Sequence, residues 1–513
     1  MPFLPFSNIL SLREELDGTD ADILTWGCDG YVESIKQWSE TCDTYVGAIV
    51  RVTSTDQAAI VVRFATHHDI PFTARGGGLS TSGASTTHGG IVLDLSSLRA
   101  VHVDAAARVV TAQGGALWAD IDVAAAQHGL AVVGSTLSHI GAAGATLGGG
   151  YGWLTGEYGL AIDNLLWARM VLADGSVVTA SEKEHSDLFW AIRGAGQSFG
   201  VAVELGFRAH RQDQPVFAGT LVFSREKLPA IVEFANRFEA ITDGRQGFWF
   251  GFTMLPSMAQ SQSQSKLQSQ SQCSILAVVF YNGPQPAAER FFAPLLSLPS
   301  VLNSTGMLPY DSLNDILSTV DTLGPRRSSL SKHTANIPYP VDPHIGPRKS
   351  LQGSNITLPL AADFVALIYD DFNSILRAYP QTQEESRLLF ELLPHAQVSA
   401  VSNSATAFAN RGPHYNVSAL FEWADARLDA RIRALQSDLV ARIGSVAGIA
   451  AKPGYSVAEH GTGIYANYAG HGTPVRAIFG ENLARLRALK EKYDPHNTFR
   501  KWHNLCASVD APA

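Results

Sequence analysis

The chain has 513 residues, of which 46% are hydrophobic and 17% charged, with a formal net charge of −9. That length exceeds one ordinary hydrophobic core, so two or three domains are expected, and the composition is that of a folded globular protein. The acidic balance argues against a nucleic-acid partner, which needs a concentrated basic face, and no apolar run reaches the roughly 18–20 residues of a membrane span.

The N-terminal stretch "MPFLPFSNILSLREELDG" has no basic leader and is broken by Pro2, Pro5, Ser7 and Asn8. It does not read as a secretory signal, so a cytoplasmic location is expected. Four cysteines, Cys28, Cys42, Cys273 and Cys506, read as free thiols, although Cys28 and Cys42 are close enough in sequence to pair in an oxidising setting.

Residues 46–115 alternate strand and helix signals. "VGAIVRV" is a buried-strand pattern, and "STDQAAIVVRFATHHD" is a helix with a capping start. "IPFTARGGG" is a strand running into glycines, and residues 89–115 give two or three short strands separated by turns. "ALWADIDVAAAQHGL" is a helix ended by Gly129, and Asp174-Gly175 marks a hairpin. Composition shifts near residue 214. From 215 to 455, apolar strands such as "GFWFGFTML", "CSILAVVFY" and "VSALFEWA" alternate with helices, which predicts an antiparallel sheet backed by helices. Within it, 259–272 is polar low-complexity sequence, expected as a disordered loop. The tail, 456–513, carries "YANY" and a helix ending at Asp494-Pro495. The chain thus divides into 1–214, 215–455 and 456–513, and the fold class is α+β.

Two glycine-rich loops carry the chemistry. Gly76, Gly77 and Gly78 follow a strand and offer consecutive backbone N–H groups, a device that binds anions. Gly141, Gly144, Gly148, Gly149 and Gly150 offer it again. Neither run is a G-x-G-x-x-G fingerprint opening a βαβ helix, so two loops clamping one pyrophosphate is the expectation. Each run also reads as a tight turn. No histidine pair has metal-ligand spacing, and no G-x-S-x-G elbow occurs.

The segments "PFTARGGGLSTSG", "GATLGGGYGWLTGEYGLAIDNL", "DLFWAIRGAGQSFGVAVELGF", "YANY" and "LKEKYDPHNTF" together resemble the berberine-bridge-enzyme-like branch of the vanillyl-alcohol-oxidase superfamily. The resemblance implies a PCMH-type FAD-binding domain of two α+β subdomains, a substrate domain, and a tail that returns to the FAD domain. It implies FAD against Arg75, the glycines through Leu79 and Ser80, Gly83, and the second run with Tyr151. Asp163 and Asn164 would lie near the cofactor, and Gly200 and Val201 at its adenine-ribose end. Tyr465 and Asn467 in "YANY" would line the site.

The family carries a histidine that tethers the flavin where this chain has Leu79, and doubly tethered relatives add a cysteine near Leu137. A hydrocarbon has no lone pair, so non-covalent FAD is expected, with His139 the alternative should a tether exist. Candidate catalytic groups are Tyr468 and Tyr465 as bases, then His139 and Glu422; His471 could orient Tyr468. A tyrosine base needs about three pKa units of help, roughly 4 kcal/mol, unless proton and hydride leave together. Aromatic walls are the bland reading of both tyrosines. The resemblance implies oxidation of a hydrophobic small molecule of secondary metabolism, by hydride transfer to flavin N5 with molecular oxygen as acceptor. A redox-neutral cyclase or isomerase that keeps FAD is the second reading. Substrate identity and oligomeric state stay open.

Overall fold

The computed structural model describes residues 4–42, 44–254, 273–316, 348–382, 385–470 and 472–507; His471 and the loop expected over 259–272 lie outside them. Near the N-terminus, strand Ala48–Arg51 leads into helix Thr55–His67, where the Ser54 hydroxyl accepts from the Gln57 N–H as an N-cap. That helix carries the chain to strand Phe72–Arg75. Both strands pair in parallel with Ile91–Asp94 between them, and Asp22–Leu24 adds an antiparallel edge. Parallel neighbours need such a crossover, and burial of Val61, Val62 and Phe64 fixes the helix on the sheet. Gly76 follows directly on the last strand residue, so the first glycine run sits at the sheet's C-terminal edge.

A second, antiparallel sheet is built on the long strand Val201–Arg211, which pairs with Val109–Gln113, Leu165–Val171 and Leu130–Val132. The hairpin at Asp174-Gly175 joins Leu165–Val171 to Val177–Ser181, with Gly175 at φ +82°. Tail helix Leu483–Tyr493 puts Leu483, Leu486 and Leu489 into the core of this sheet, beside Phe189 and Ile192 of helix Ser186–Ala195. Buried Lys490 fastens the junction by donating to the Ser198 and Phe499 carbonyls and to Asp494.

Among the described residues the third sheet has eight antiparallel strands, including Val216–Phe223, Gln246–Thr253, Ser274–Tyr281, Arg348–Ile356, Arg387–Leu392 and Tyr415–Trp423. Phe248, Phe250 and Phe252 face helices Leu228–Ile241, Ala362–Ala378 and Asp429–Ala447. On the other face, Trp249, Val278 and Phe280 meet Trp153 and Leu154, which follow the second glycine run; Trp153 stacks on Trp249 at 5.0 Å between ring centres. Both faces are covered at Val216–Phe223, Gln246–Thr253 and Ser274–Tyr281, so these three strands are buried nearly throughout rather than alternating. Edge strand Arg348–Ile356 is held to the N-terminal half by Ser39, bonded to the Lys349 backbone, and by Thr81, which accepts from the Leu351 N–H at 3.1 Å.

Among the described residues no disulfide joins Cys28, Cys42, Cys273 or Cys506. Among the described residues no helix is long and apolar enough to cross a membrane, and no group of His, Cys, Asp or Glu is arranged to hold a metal.

Candidate active site

The two glycine regions meet. A Cβ on Gly77 would stand 2.6 Å from the Gly141 nitrogen, and one on Gly141 would stand 2.6 Å from the Gly77 nitrogen. Only glycines let the two backbones touch. Among the described residues, the N–H groups of Gly76, Gly77, Gly78, Leu79 and Ser80 donate to no protein acceptor. These half-buried donors form a cradle for an anion. The Ser80 hydroxyl is turned back to its own loop, accepting from the Ser82 and Ala84 N–H groups. The Arg75 guanidinium is turned away from the cradle, donating to Asp94 and the Ser34 carbonyl, both at 2.7 Å. Its work is to hold the strand end rather than to offer a free charge. Gly83, at φ +80°, and Gly144, exposed, have open space where a Cβ would go.

The glycines at 148–150 serve a different purpose. A Cβ on Gly148 would strike the Asn467 side chain at 2.1 Å, one on Gly149 the Phe408 ring at 2.6 Å, and one on Gly150 Ala161 at 2.6 Å. The run is a seat for the tail and for Phe408. There the Gly150 N–H donates to the Tyr465 hydroxyl at 3.2 Å, and the Asn467 amide donates to the same hydroxyl at 2.8 Å and to the Ala145 carbonyl at 2.9 Å.

This seating converges three hydroxyls on one carboxylate, Glu391 in strand Arg387–Leu392. The Tyr151 hydroxyl donates to Glu391 Oε2, Ser418 donates to Oε1, and the Tyr468 hydroxyl lies 3.3 and 3.4 Å from the two oxygens. Tyr151 and Tyr468 are themselves 3.0 Å apart, oxygen to oxygen. Tyr468 stands over Gly353, where a Cβ would lie 2.6 Å from its own. Burial pushes the Glu391 carboxyl up to about 7, against the pull of the hydroxyls toward lower values. Burial and the adjacent carboxylate also hold the Tyr151 and Tyr468 phenols well above their usual value, and burial raises Tyr465. The Tyr151 phenol donates to a carboxylate whose affinity for a proton burial raises.

Several expected residues lie outside the Glu391 cluster. Glu422 shares the strand with Ser418 but is ion-paired with Lys349 at 3.0 Å, not with the tyrosines. Four residues of strand, roughly 13 Å, separate it from Ser418. His139 is exposed in the loop before Gly141. Asp163 is spent on the fully buried Arg411, with bonds of 2.7 and 3.0 Å, and Asn164 ties the Tyr158 and Leu160 carbonyls and His210. Gly200 is needed because a Cβ would lie 2.6 Å from the Val171 carbonyl, and Val201 is buried in the second sheet. Glu391 was missed by sequence reasoning, although a lone acid inside the apolar strand "RLLFELLP" was its signal; Ser418 carried none.

The chain matches two family models, an FAD binding domain over residues 46–181 and "Berberine and berberine like" over residues 464–505. It is 31% identical over 496 residues to the FAD-linked oxidoreductase pgmH of Aspergillus terreus, covering 96% of this chain and 95% of that one. It is 28% identical to the (R)-6-hydroxynicotine oxidase of Paenarthrobacter nicotinovorans, covering 89% and 90%. A solved glucooligosaccharide oxidase from Acremonium strictum, described with 6-S-cysteinyl, 8α-N1-histidyl FAD, shares the fold with a TM-score of 0.75 at 20% identity, over 98% and 99% of the two chains. With the anion cradle at Gly76–Ser80 and the tail seated on the second glycine run, the chain belongs to the berberine-bridge-enzyme-like FAD-linked oxidoreductases, and it is an FAD-dependent enzyme.

Proposed function

We propose that this enzyme oxidises a hydrophobic small molecule with Glu391 as its base, and that it holds FAD without a covalent bond. The observation that carries the reading is one buried carboxylate under three hydroxyl donors at the end of an apolar sheet face. Register puts Trp249 and Asn416 on either side of Glu391, and the same face continues as Leu389 and Leu420. A flat apolar molecule laid on that face would bring a hydroxyl or an acidic C–H to Tyr468.

Bound FAD supplies the two-electron acceptor for this chemistry. Tyr468 passes the substrate's proton to Glu391, since its own phenol is too weak an acid to stay ionised. Tyr151 and Ser418 keep the carboxylate oriented and stabilise its charge. Residues 76–80 hold the pyrophosphate through backbone donors, and Leu79 offers an apolar surface with no atom able to form a tether. The hydroxynicotine oxidase among its relatives supports oxygen as electron acceptor.

Two measurements test this. Acid precipitation of the yellow protein should leave the flavin in the supernatant; colour retained in the pellet overturns the non-covalent reading. Anaerobic mixing with a panel of hydrophobic alcohols and phenols should bleach the flavin, and Glu391→Gln should slow that bleaching roughly 100-fold or more. Turnover without bleaching would instead establish the redox-neutral cyclase or isomerase.

A further inference from the structure

Glu391 has a second side, away from Tyr468. A cavity of about 50 Å³ begins at Glu391 and Tyr151 and is lined farther on by Asn410, Asn416, His414 and His395. Asn410 Oδ1, Asn416 Oδ1, His414 Nδ1 and the Tyr415 hydroxyl are buried there with no protein partner. Four orphaned polar atoms round one small space call for a guest that both donates and accepts hydrogen bonds, since buried polar groups otherwise go unpaired at a cost. Water is that guest: one molecule needs about 10–15 Å³ of such space and two to four polar partners, so the cavity has room for a few. Register sets Asn416 directly across from Glu391, so the first orphan acceptor adjoins the carboxyl. At the far end, both His395 ring nitrogens are likewise buried without a hydrogen-bond partner; Nε2 lies 3.4 Å from Glu239, an ion-pair distance without hydrogen-bond geometry, and Glu239 is half exposed.

We propose that this cavity is a hydrated proton path that joins the buried Glu391 to bulk solvent through His395 and Glu239. The inference rests on the reading of Glu391 as the base, which must shed a proton after each turnover while substrate covers its other face. The Glu391 O–H bond breaks toward a cavity water, and the water chain delivers a proton to His395 Nδ1. The Nε2 proton passes to Glu239 and then to solvent. No electrons move, and one proton leaves for each one that Glu391 received. The titratable groups facing this route are Glu391, Tyr151, Tyr465, His414, Tyr415, His395 and Glu239. Burial pushes His414 down to about 3, so it stays neutral and serves as a hydrogen-bonding wall, not a proton trap. His395 is also held below its usual value and so releases a proton readily.

The test needs no substrate. Holoenzyme at a pH below about 7 is transferred into heavy water, and the infrared carbonyl band of protonated Glu391 is followed, identified by its loss in Glu391→Gln. His395→Phe and, separately, Asn416→Leu should each slow its exchange by roughly tenfold or more, with Glu239→Gln smaller in effect and Tyr468→Phe without effect. Circular dichroism and flavin absorbance certify each variant, and Asn416→Leu serves if His395→Phe does not fold. Unchanged exchange in the path variants, or slowing by Tyr468→Phe alone, overturns the proposal. The band reports exchange without turnover. A Glu391→Gln enzyme that still bleaches its flavin would therefore break the catalytic reading while leaving the path standing.

Discussion

The runs at 76–78 and 148–150 are both three glycines long, and the molecule uses them in opposite ways. At 76–78 the missing side chains bring one backbone against another at Gly141 and leave a row of N–H groups unpaired. At 148–150 they admit protein: Asn467, Phe408 and Ala161 fill the space a side chain would need. One run presents open backbone donors, and the other is closed by Phe408 and by the tail that carries Tyr465 and Tyr468. A glycine run therefore reports a close approach, but the approaching group is set by what the rest of the chain brings to it.

The comparison can be broken first at Gly149, which has φ +124° and the Phe408 ring 2.6 Å from a Cβ position. Gly149→Ala should cost roughly 2–5 kcal/mol from backbone strain and overpacking together. Urea unfolding measures it; a loss under about 1 kcal/mol would show that the run is no seat for Phe408.

The seat matters because it delivers Tyr151 and Tyr468 to Glu391. Folding raises the Glu391 carboxyl from 4.5 to about 7. A carboxyl raised by folding contributes its full stability below its unfolded value and loses it as pH climbs through the folded one. Wild-type protein should therefore lose roughly 2–4 kcal/mol relative to Glu391→Gln between pH about 4.5 and 8. Thermal melts across that range check the slope; parallel curves for the two proteins would place Glu391 in a solvated setting.

The smallest effects separate glycines within the cradle region. Gly77→Ala forces backbone from backbone and should cost roughly 1–3 kcal/mol while weakening FAD binding about tenfold or more. Gly144→Ala meets nothing, so it should leave FAD binding alone and gain about 0.4–1 kcal/mol. Flavin fluorescence titration of apoprotein reads both, and equal weakening by the two would merge the cradle with the helix that follows it.

Most strands and helices were legible because apolar period and capping residues are local: Ser54 caps its helix, and Asp174-Gly175 turns its hairpin as expected. The choice of carboxylate was not. Glu422 and Glu391 are both acids in apolar strands, one bound by Lys349 and the other facing three hydroxyls. Their partners lie on other strands or in the tail, and a register between strands is a long-range quantity. The partner of Asp163 was illegible for a related reason, since the buried Arg411 that takes it comes from 248 residues away.

The sequence by itself determined the family, the glycine loops and the absence of a nucleophile at Leu79, because each is a property of residues adjacent in the chain. Only the tertiary structure decided which glycines stay open and which acid meets the tyrosines. Those depend on packing between the tail, the second glycine run and the third sheet, whose contacting residues are hundreds of positions apart.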